Sequence, residues 1–279
     1  MKPFEELTIK DDYWFKRIMS NKKLCKKLLE IILDIKIKDI KYIEGEKTMQ
    51  PGYAGKGIRL DVYAEDDKNT VYNIEMQVRR GNDELSKRIR YYQSAIDTDM
   101  LLKGKLYAKL KDTYIIFICP FKLFDGKRCK YTFKNICMED KNLELKDGAT
   151  KILLTTKGDM EDVSPKLKSF LEYIEGKPGD DDEFVRELKE ESEKLKMMEE
   201  ERRIYMIYEM RLLEIASDAK KEGRKEGEKL GEKRGEKRGE LRLSKLITRL
   251  MKENRESEIA LALSAASKRK ELYKKYGIE

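Results

Sequence analysis

The stretches "IRLDVYAEDD" (58–67) and "VYNIEMQVRR" (71–80) decide how this chain is read. Both are rich in Ile, Val and Tyr, as strands are, yet each sets acids or amides at alternate positions. Successive side chains of a strand point to opposite faces, so Arg59, Asp61 and Tyr63 share one face while Ile58, Leu60 and Val62 share the other. The second stretch divides the same way, with Asn73, Glu75 and Gln77 opposite Tyr72, Ile74, Met76 and Val78. The polar "EDDKNT" (65–70) between them predicts a hairpin. If its centre is Lys68, Asp61 lies directly across from Glu75, with Cβ atoms about 5 Å apart.

Two carboxylates so placed repel unless something neutralises them. A hard divalent ion such as Mg²⁺ or Mn²⁺ does so, because it takes carboxylate, carbonyl and water oxygens. The Met76 backbone carbonyl is a further candidate ligand, and the Gln77 amide is placed to orient water or touch a phosphate. The bland alternative is that Asp61, Glu75 and Gln77 form the solvated face of a hairpin. In its favour, charged residues make up 42% of this chain; against it, the polar triplet sits in otherwise apolar strands followed by a basic helix.

The remaining composition narrows the chemistry. The chain has no histidine, which removes catalytic triads, imidazole bases and His-ligated metals together. Cys25, Cys119, Cys129 and Cys137 lie far apart, so the expectation is buried thiols rather than a zinc site. The net charge of +8 favours a polyanionic partner. No apolar run approaches the roughly 20 residues that span a bilayer, and "MKPFEELTIKDDYWFK" carries acids where a signal peptide is apolar. A soluble cytoplasmic protein is expected, without a membrane partner.

Outward from the hairpin, "DDYWFKRIMSNKKLCKKLLEIILDI" (11–35) has helical periodicity, with Trp14 and Phe15 as core residues and Asp11 or Asp12 as a cap or a further acid near the site. Residues 37–46 read as an edge strand. The segment 82–104 reads as a helix with Asn82 to cap it and Gly104 to end it. "DTYIIFICPF" (112–121) is the most apolar run and hence a central strand. "KYTFKNI" (130–136) and "KILLTT" (151–156) add strands, and 165–176 a short helix. This order describes an α/β core with a mixed central sheet flanked by helices over 1–177, and a helical charged tail over 178–279. In that tail Gly223, Gly227, Gly231, Gly235 and Gly239 recur every fourth residue, a stripe that winds about 40° per step around a helix. Each interior glycine costs about 1 kcal/mol relative to Ala, so either a partner helix packs on the stripe or the segment is partly disordered. Residues 243–278 regain apolar periodicity, suited to self-association or substrate contact.

The stretch "GKGIRLDVYAEDDKNTVYNIEMQ" (55–77) resembles the R-x-D and I-E-x-Q signature of the PD-(D/E)XK nuclease family transposases, a group related to recombination-promoting nucleases. The "DDYWFKRIM" helix and the Gly-rich tail extend the resemblance over nearly the whole chain. It implies a restriction-endonuclease-like core and Mg²⁺-dependent hydrolysis of DNA, with Asp61 and Glu75 as metal ligands and Gln77 in the place of the superfamily's lysine. Glutamine supplies no positive charge and no general acid, which is where this chain departs from the general pattern. Arg59, Arg80, Arg88 and Tyr92 are candidates for phosphate contact, with a tether to a carboxylate as the alternative for Arg59 and an exposed amphipathic helix face as the alternative for the last two. A catalytically silent nucleic-acid-binding or assembly protein with an oligomerising tail remains the other reading.

Overall fold

The computed structural model describes residues 2–50, 55–80, 84–101, 104–179 and 181–278. Two helices open the chain, α1 (Asp12–Met19) and α2 (Lys22–Leu33), followed by strands β1 (Ile40–Met49), β2 (Ile58–Asp66) and β3 (Val71–Met76). Then come α3 (Leu85–Met100), β4 (Thr113–Cys119), β5 (Lys130–Phe133), β6 (Ala149–Thr155), α4 (Pro165–Ile174) and α5 (Glu183–Lys196). The helices α6 (Glu199–Lys252), α7 (Glu256–Ser264) and α8 (Ala266–Tyr276) complete it.

The strands form one mixed sheet in the order β1-β2-β3-β4-β6-β5. β1, β2 and β3 pair antiparallel, β3–β4 and β4–β6 parallel, and β5 antiparallel on β6. The crossover from β3 to parallel β4 carries α3, whose Ile89, Tyr92, Ala95 and Ile96 pack on Tyr63, Val71, Ile115, Phe117, Cys119 and Leu153. The alternate residues Ile116, Ile118, Ile152 and Leu154 are equally buried and belong to the opposite face. The second helical group, α1, α2, α4 and α5, packs within itself, and α1 and α2 reach the β1 edge of the sheet.

Several expectations are met and others are corrected. β1 is an edge strand, β4 is central, and edge strand β5 is the exposed one. Residues 11–35 form two helices rather than one, because the Asn21 side chain accepts from Lys23 N and Leu24 N and starts a new helix there. Asp11 does sit at the N-cap of α1, but its carboxylate accepts from Thr8 N and the Lys2 ammonium instead of the helix's own amides. The Asn82 cap lies outside the described residues; α3 begins at Leu85 with Glu84 at its N-cap, and Gly104, at φ 84°, lies beyond its end at Met100.

The first compact unit continues to Tyr205, past the boundary expected at 177. α5 buries Phe184, Val185, Leu188 and Leu195, and its Ser192 hydroxyl accepts a 2.9 Å bond from the Trp14 indole. The second unit, from Met206, has its own small core of Leu246, Leu250, Ala262, Leu272 and Tyr276. The glycine repeat is helical, and a Cβ at Gly223, Gly227, Gly231, Gly235 or Gly239 would meet nothing within 4 Å.

Gly45 matters to the site because a Cβ there would lie 3.2 Å from Ser20 Oγ. Its lack of a side chain lets the end of α1 sit against β1. The break between α1 and α2 is itself testable: Asn21→Ala should lower stability by about 1 kcal/mol, read as a lower urea midpoint, while Asn21→Asp stays near wild type.

Candidate active site

The β1–β2 ladder pairs Gly45 with Val62 and Lys47 with Leu60, which sets Glu46 opposite Asp61. The β2–β3 ladder runs from Glu65–Val71 to Val62–Ile74, so the hairpin is centred on Lys68 and its next step brings Asp61 beside Glu75. Glu46, Asp61 and Glu75 therefore follow one another across β1, β2 and β3, the last two just past the Val62–Ile74 end of the β2–β3 ladder. Their surroundings are not those of a solvated face, since Asp61 is 8% and Glu75 3% exposed, and Asn73 on the same face is fully buried. Main-chain amides lock one oxygen of each inner carboxylate: Met76 N donates to Asp61 Oδ2 and Asp61 N donates to Glu75 Oε1, both at 3.0 Å. Glu46 holds φ 65°, a backbone conformation rare outside glycine and of a kind that clusters at functional sites.

Two cations approach the remaining oxygens. Lys16, on α1 and only 4% exposed, places Nζ 2.6 Å from Asp12 Oδ2, 2.9 Å from Glu46 Oε1 and 3.5 Å from Asp61 Oδ1. Arg88, on α3, has Nη2 3.8 Å from Glu75 Oε2 and donates to Gln77 Oε1 at 2.7 Å. Its guanidinium stacks over Tyr92 and Phe117. Gln77 in turn donates to the Arg79 carbonyl, so both ends of its amide are engaged.

Electrostatics follow from this crowding. Burial, then the Asp12 charge, push the Asp61 carboxyl up to about 6, although Lys16 pulls the other way. Burial and the Asp61 charge hold Glu75 well above the usual carboxylate range. For Lys16, burial disfavours the ammonium, but Asp61 and Asp12 outweigh it and raise its pKa. Tyr92 is pushed up to about 12 by burial and the Glu75 charge.

The sequence-derived candidates divide between two adjoining recesses. Arg59, Asp61, Glu75, Met76, Gln77, Arg88 and Tyr92 line one cavity of about 590 Å³, together with Asp12. Arg80 lies in a neighbouring recess with Arg79, and Gln77 and Arg88 border both. Tyr92 belongs to the core beneath Arg88, not to an exposed amphipathic face. Arg59 points its guanidinium toward Asp12 and Glu46, at 3.9 and 4.0 Å. Sequence reasoning missed Lys16 and Glu46. Lys16 was readable only as one more lysine of a helix whose neighbours Trp14, Phe15 and Ile18 are all core. Glu46 needed the β1–β2 register, which no short turn specifies.

The donor set fits a hard cation. Asp61 and Glu75 are like charges in a desolvated site, each with one oxygen bonded to an amide and the other at ion-pair range from a cation. Among the described residues no three acid or thiol side chains come together as a metal cluster. The rest of a cation's shell would be main-chain oxygen, such as Met76, and water.

A mixed sheet flanked by helices, with paired acids on adjoining central strands, is the architecture of a restriction-endonuclease-like nuclease. The sequence profile of the PD-(D/E)XK nuclease family transposases matches residues 9–237, and the chain belongs to that family. No curated protein and no solved structure matches it significantly. Membership carries a nuclease- or transposase-related function, and such nucleases generally use divalent metals on DNA. Among the described residues no helix is long and apolar enough to cross a membrane.

The raised carboxyls have a thermodynamic consequence. Asp61 keeps its proton to about pH 6 in the fold, against 3.8 ordinarily, so the folded chain binds protons that the unfolded chain has released. The contribution of these two groups to stability without metal is thus fully present below about pH 4, falls as pH rises through about 6 where Asp61 ionises, and falls further at higher pH where Glu75 does. Glu75→Gln removes one of the opposed charges. In EDTA it should remove the upper part of this fall, above about pH 6, and raise stability near pH 7 by up to about 1 kcal/mol, while saturating Mg²⁺ raises the Tm of the wild type and not of the variant. Differential scanning fluorimetry across pH reads both; an unchanged pH profile in Glu75→Gln counts against the opposed pair.

Proposed function

We propose that this chain is a Mg²⁺-dependent DNA endonuclease of the cytoplasm, with Mn²⁺ as an alternative ion, acting in recombination or transposition. The observation that carries the reading is the buried Asp61–Glu75 pair, held by reciprocal main-chain bonds in a recess rimmed with basic side chains. Proteins seldom bury opposed like charges without a purpose, and one hydrated cation would relieve them. A bound divalent ion supplies Lewis-acid charge to the phosphate and acidifies the attacking water.

The chain's own residues do the rest. Asp61 and Glu75 would hold the ion, with Met76 contributing main-chain oxygen. Gln77, its carbonyl held by Arg88, orients a polar contact but adds no charge. Positive charge comes instead from two other elements: Arg88 on α3 and Lys16 on α1. Both act as fixed cations beside the carboxylates, and Arg88 also faces the neighbouring arginine recess, where phosphate would lie. Arg59, Arg79 and Arg80 extend that basic rim. The C-terminal helices, with their unpartnered glycine stripe, are the part suited to joining copies of the chain.

Supercoiled plasmid incubated with purified protein tests the reading. Nicking with Mg²⁺ or Mn²⁺, abolished by EDTA and reduced at least about 10³-fold in Asp61→Ala and Glu75→Ala, is the expected result. DNA binding without cleavage in either metal would instead identify a silent binding module. Lys16 makes a second check independent of turnover. Because its ammonium lies among Asp12, Glu46 and Asp61, calorimetry at pH 8 should show the wild type taking up one Mn²⁺ and Lys16→Ala, which leaves Asp61 without that cation, taking it up more tightly.

A further inference from the structure

The carboxylate recess does not end at Gln77. Gln77 and Arg88 border a second recess with Arg79 and Arg80, and Phe124 and Leu153 join that one to a third, larger cavity of about 780 Å³. The three lie on the α3 face of the sheet. Glu75 is in register with Phe117, and Phe117 with Leu153, so the large cavity begins two strand spacings, about 10 Å, from the Glu75 carboxylate.

Its chemistry differs from that of the carboxylate recess. Phe124 and Phe133, 41% and 44% exposed, present aromatic surface at its wall, and Tyr107 is 83% exposed at its rim. Polar groups stand along the α3 side. Gln93 spends its amide nitrogen on Asp97 and Thr113, which leaves Oε1 buried without a hydrogen-bond partner. Lys151 and Arg90 add cations at the edges. An apolar slot with aromatic walls, hydrogen-bonding edges and a row of arginines leading to it from two carboxylates matches one ligand class well: a flat heterocycle attached to a phosphodiester backbone. An apolar peptide or a second copy of the chain would use the aromatic wall but leaves the arginine path unexplained.

We infer that this cavity receives an unpaired nucleobase of the strand being cut. A base stacked within a duplex cannot enter, whereas a bulged or single-stranded one reaches it at little cost. The inference rests on the nuclease reading and sharpens it: the favoured substrate is DNA carrying an unpaired nucleotide close to the cleaved phosphate. Stacking on Phe124 and Phe133 supplies the preference, and Arg79 and Arg80 track the intervening backbone.

Fluorescence anisotropy of the full chain in EDTA, where nothing is cut, tests this with two labelled duplexes that differ by a single unpaired thymine. The wild type should bind the bulged duplex about tenfold more tightly. Phe124→Ala and Phe133→Ala should each reduce that ratio below about threefold, and Phe124→Tyr, which keeps a stacking ring, should preserve it. Equal affinity of the wild type for both duplexes overturns the inference, as does a preference that survives both alanines. So does a change in sedimentation mass in Phe124→Ala with the preference intact, which would mark the wall as a contact between copies. If plasmid is nicked but no preference exists, the base site alone falls. If neither duplex binds and plasmid stays intact, the nuclease reading falls with it.

Discussion

Glu46, Asp61 and Glu75 follow one another across three strands, the two inner acids almost wholly buried, and the fold around them is organised to tolerate that charge. A carboxylate removed from water either takes up a proton or finds a cation. Here each end of the row has one. Lys16 serves Glu46 and Asp61 from α1, and Arg88 serves Glu75 from α3. The two helices that contribute these cations come from different parts of the chain, so the local charge balance is a product of tertiary structure.

That dependence explains features that look unrelated. A Cβ at Gly45 would crowd the Ser20 hydroxyl at 3.2 Å, so glycine there eases the approach to β1 of the helix that carries Lys16. Asn21 ends one helix and starts another, turning the chain so that α1 and α2 can both pack on the sheet edge. Trp14 and Phe15 are fully buried on the same short helix, which fixes the backbone from which Lys16 projects. A long, flexible side chain is thereby held with little freedom left to lose, and an ion pair made by a preorganised lysine costs less entropy than one made on an open surface.

The hairpin was legible because its information is local. Alternation over 58–64 and 71–78 and a polar turn centred on Lys68 specify both the register and the Asp61–Glu75 apposition. The same holds for β4, whose apolar run admits only a buried position, and for the helix after Ser164 with its cap and first-turn proline. What escaped reading is non-local. α5 looks like the beginning of a charged tail, since Glu and Lys dominate its sequence, but Phe184, Val185, Leu188 and Leu195 form a narrow stripe that closes the core against α1, α2 and α4. Glu46 lies in a strand whose partner follows after a long connection, so nothing short-range reveals what it faces.

The resemblance sets Gln77 where the superfamily carries lysine, and the surroundings of Gln77 give that difference a physical sense. A lysine at 77, just past the end of β3, would bring its charge close to a carboxylate that already has Arg88 beside it. Glutamine there accepts a bond from Arg88 and donates one to the Arg79 carbonyl, which orders the arginine-bearing segment leading away from the carboxylates. The positive charge is carried instead on two rigid helices, one at either end of the acid row. The buried carboxylates are thus balanced from α1 and α3, while the amide at 77 ties Arg88 to the segment that carries Arg79.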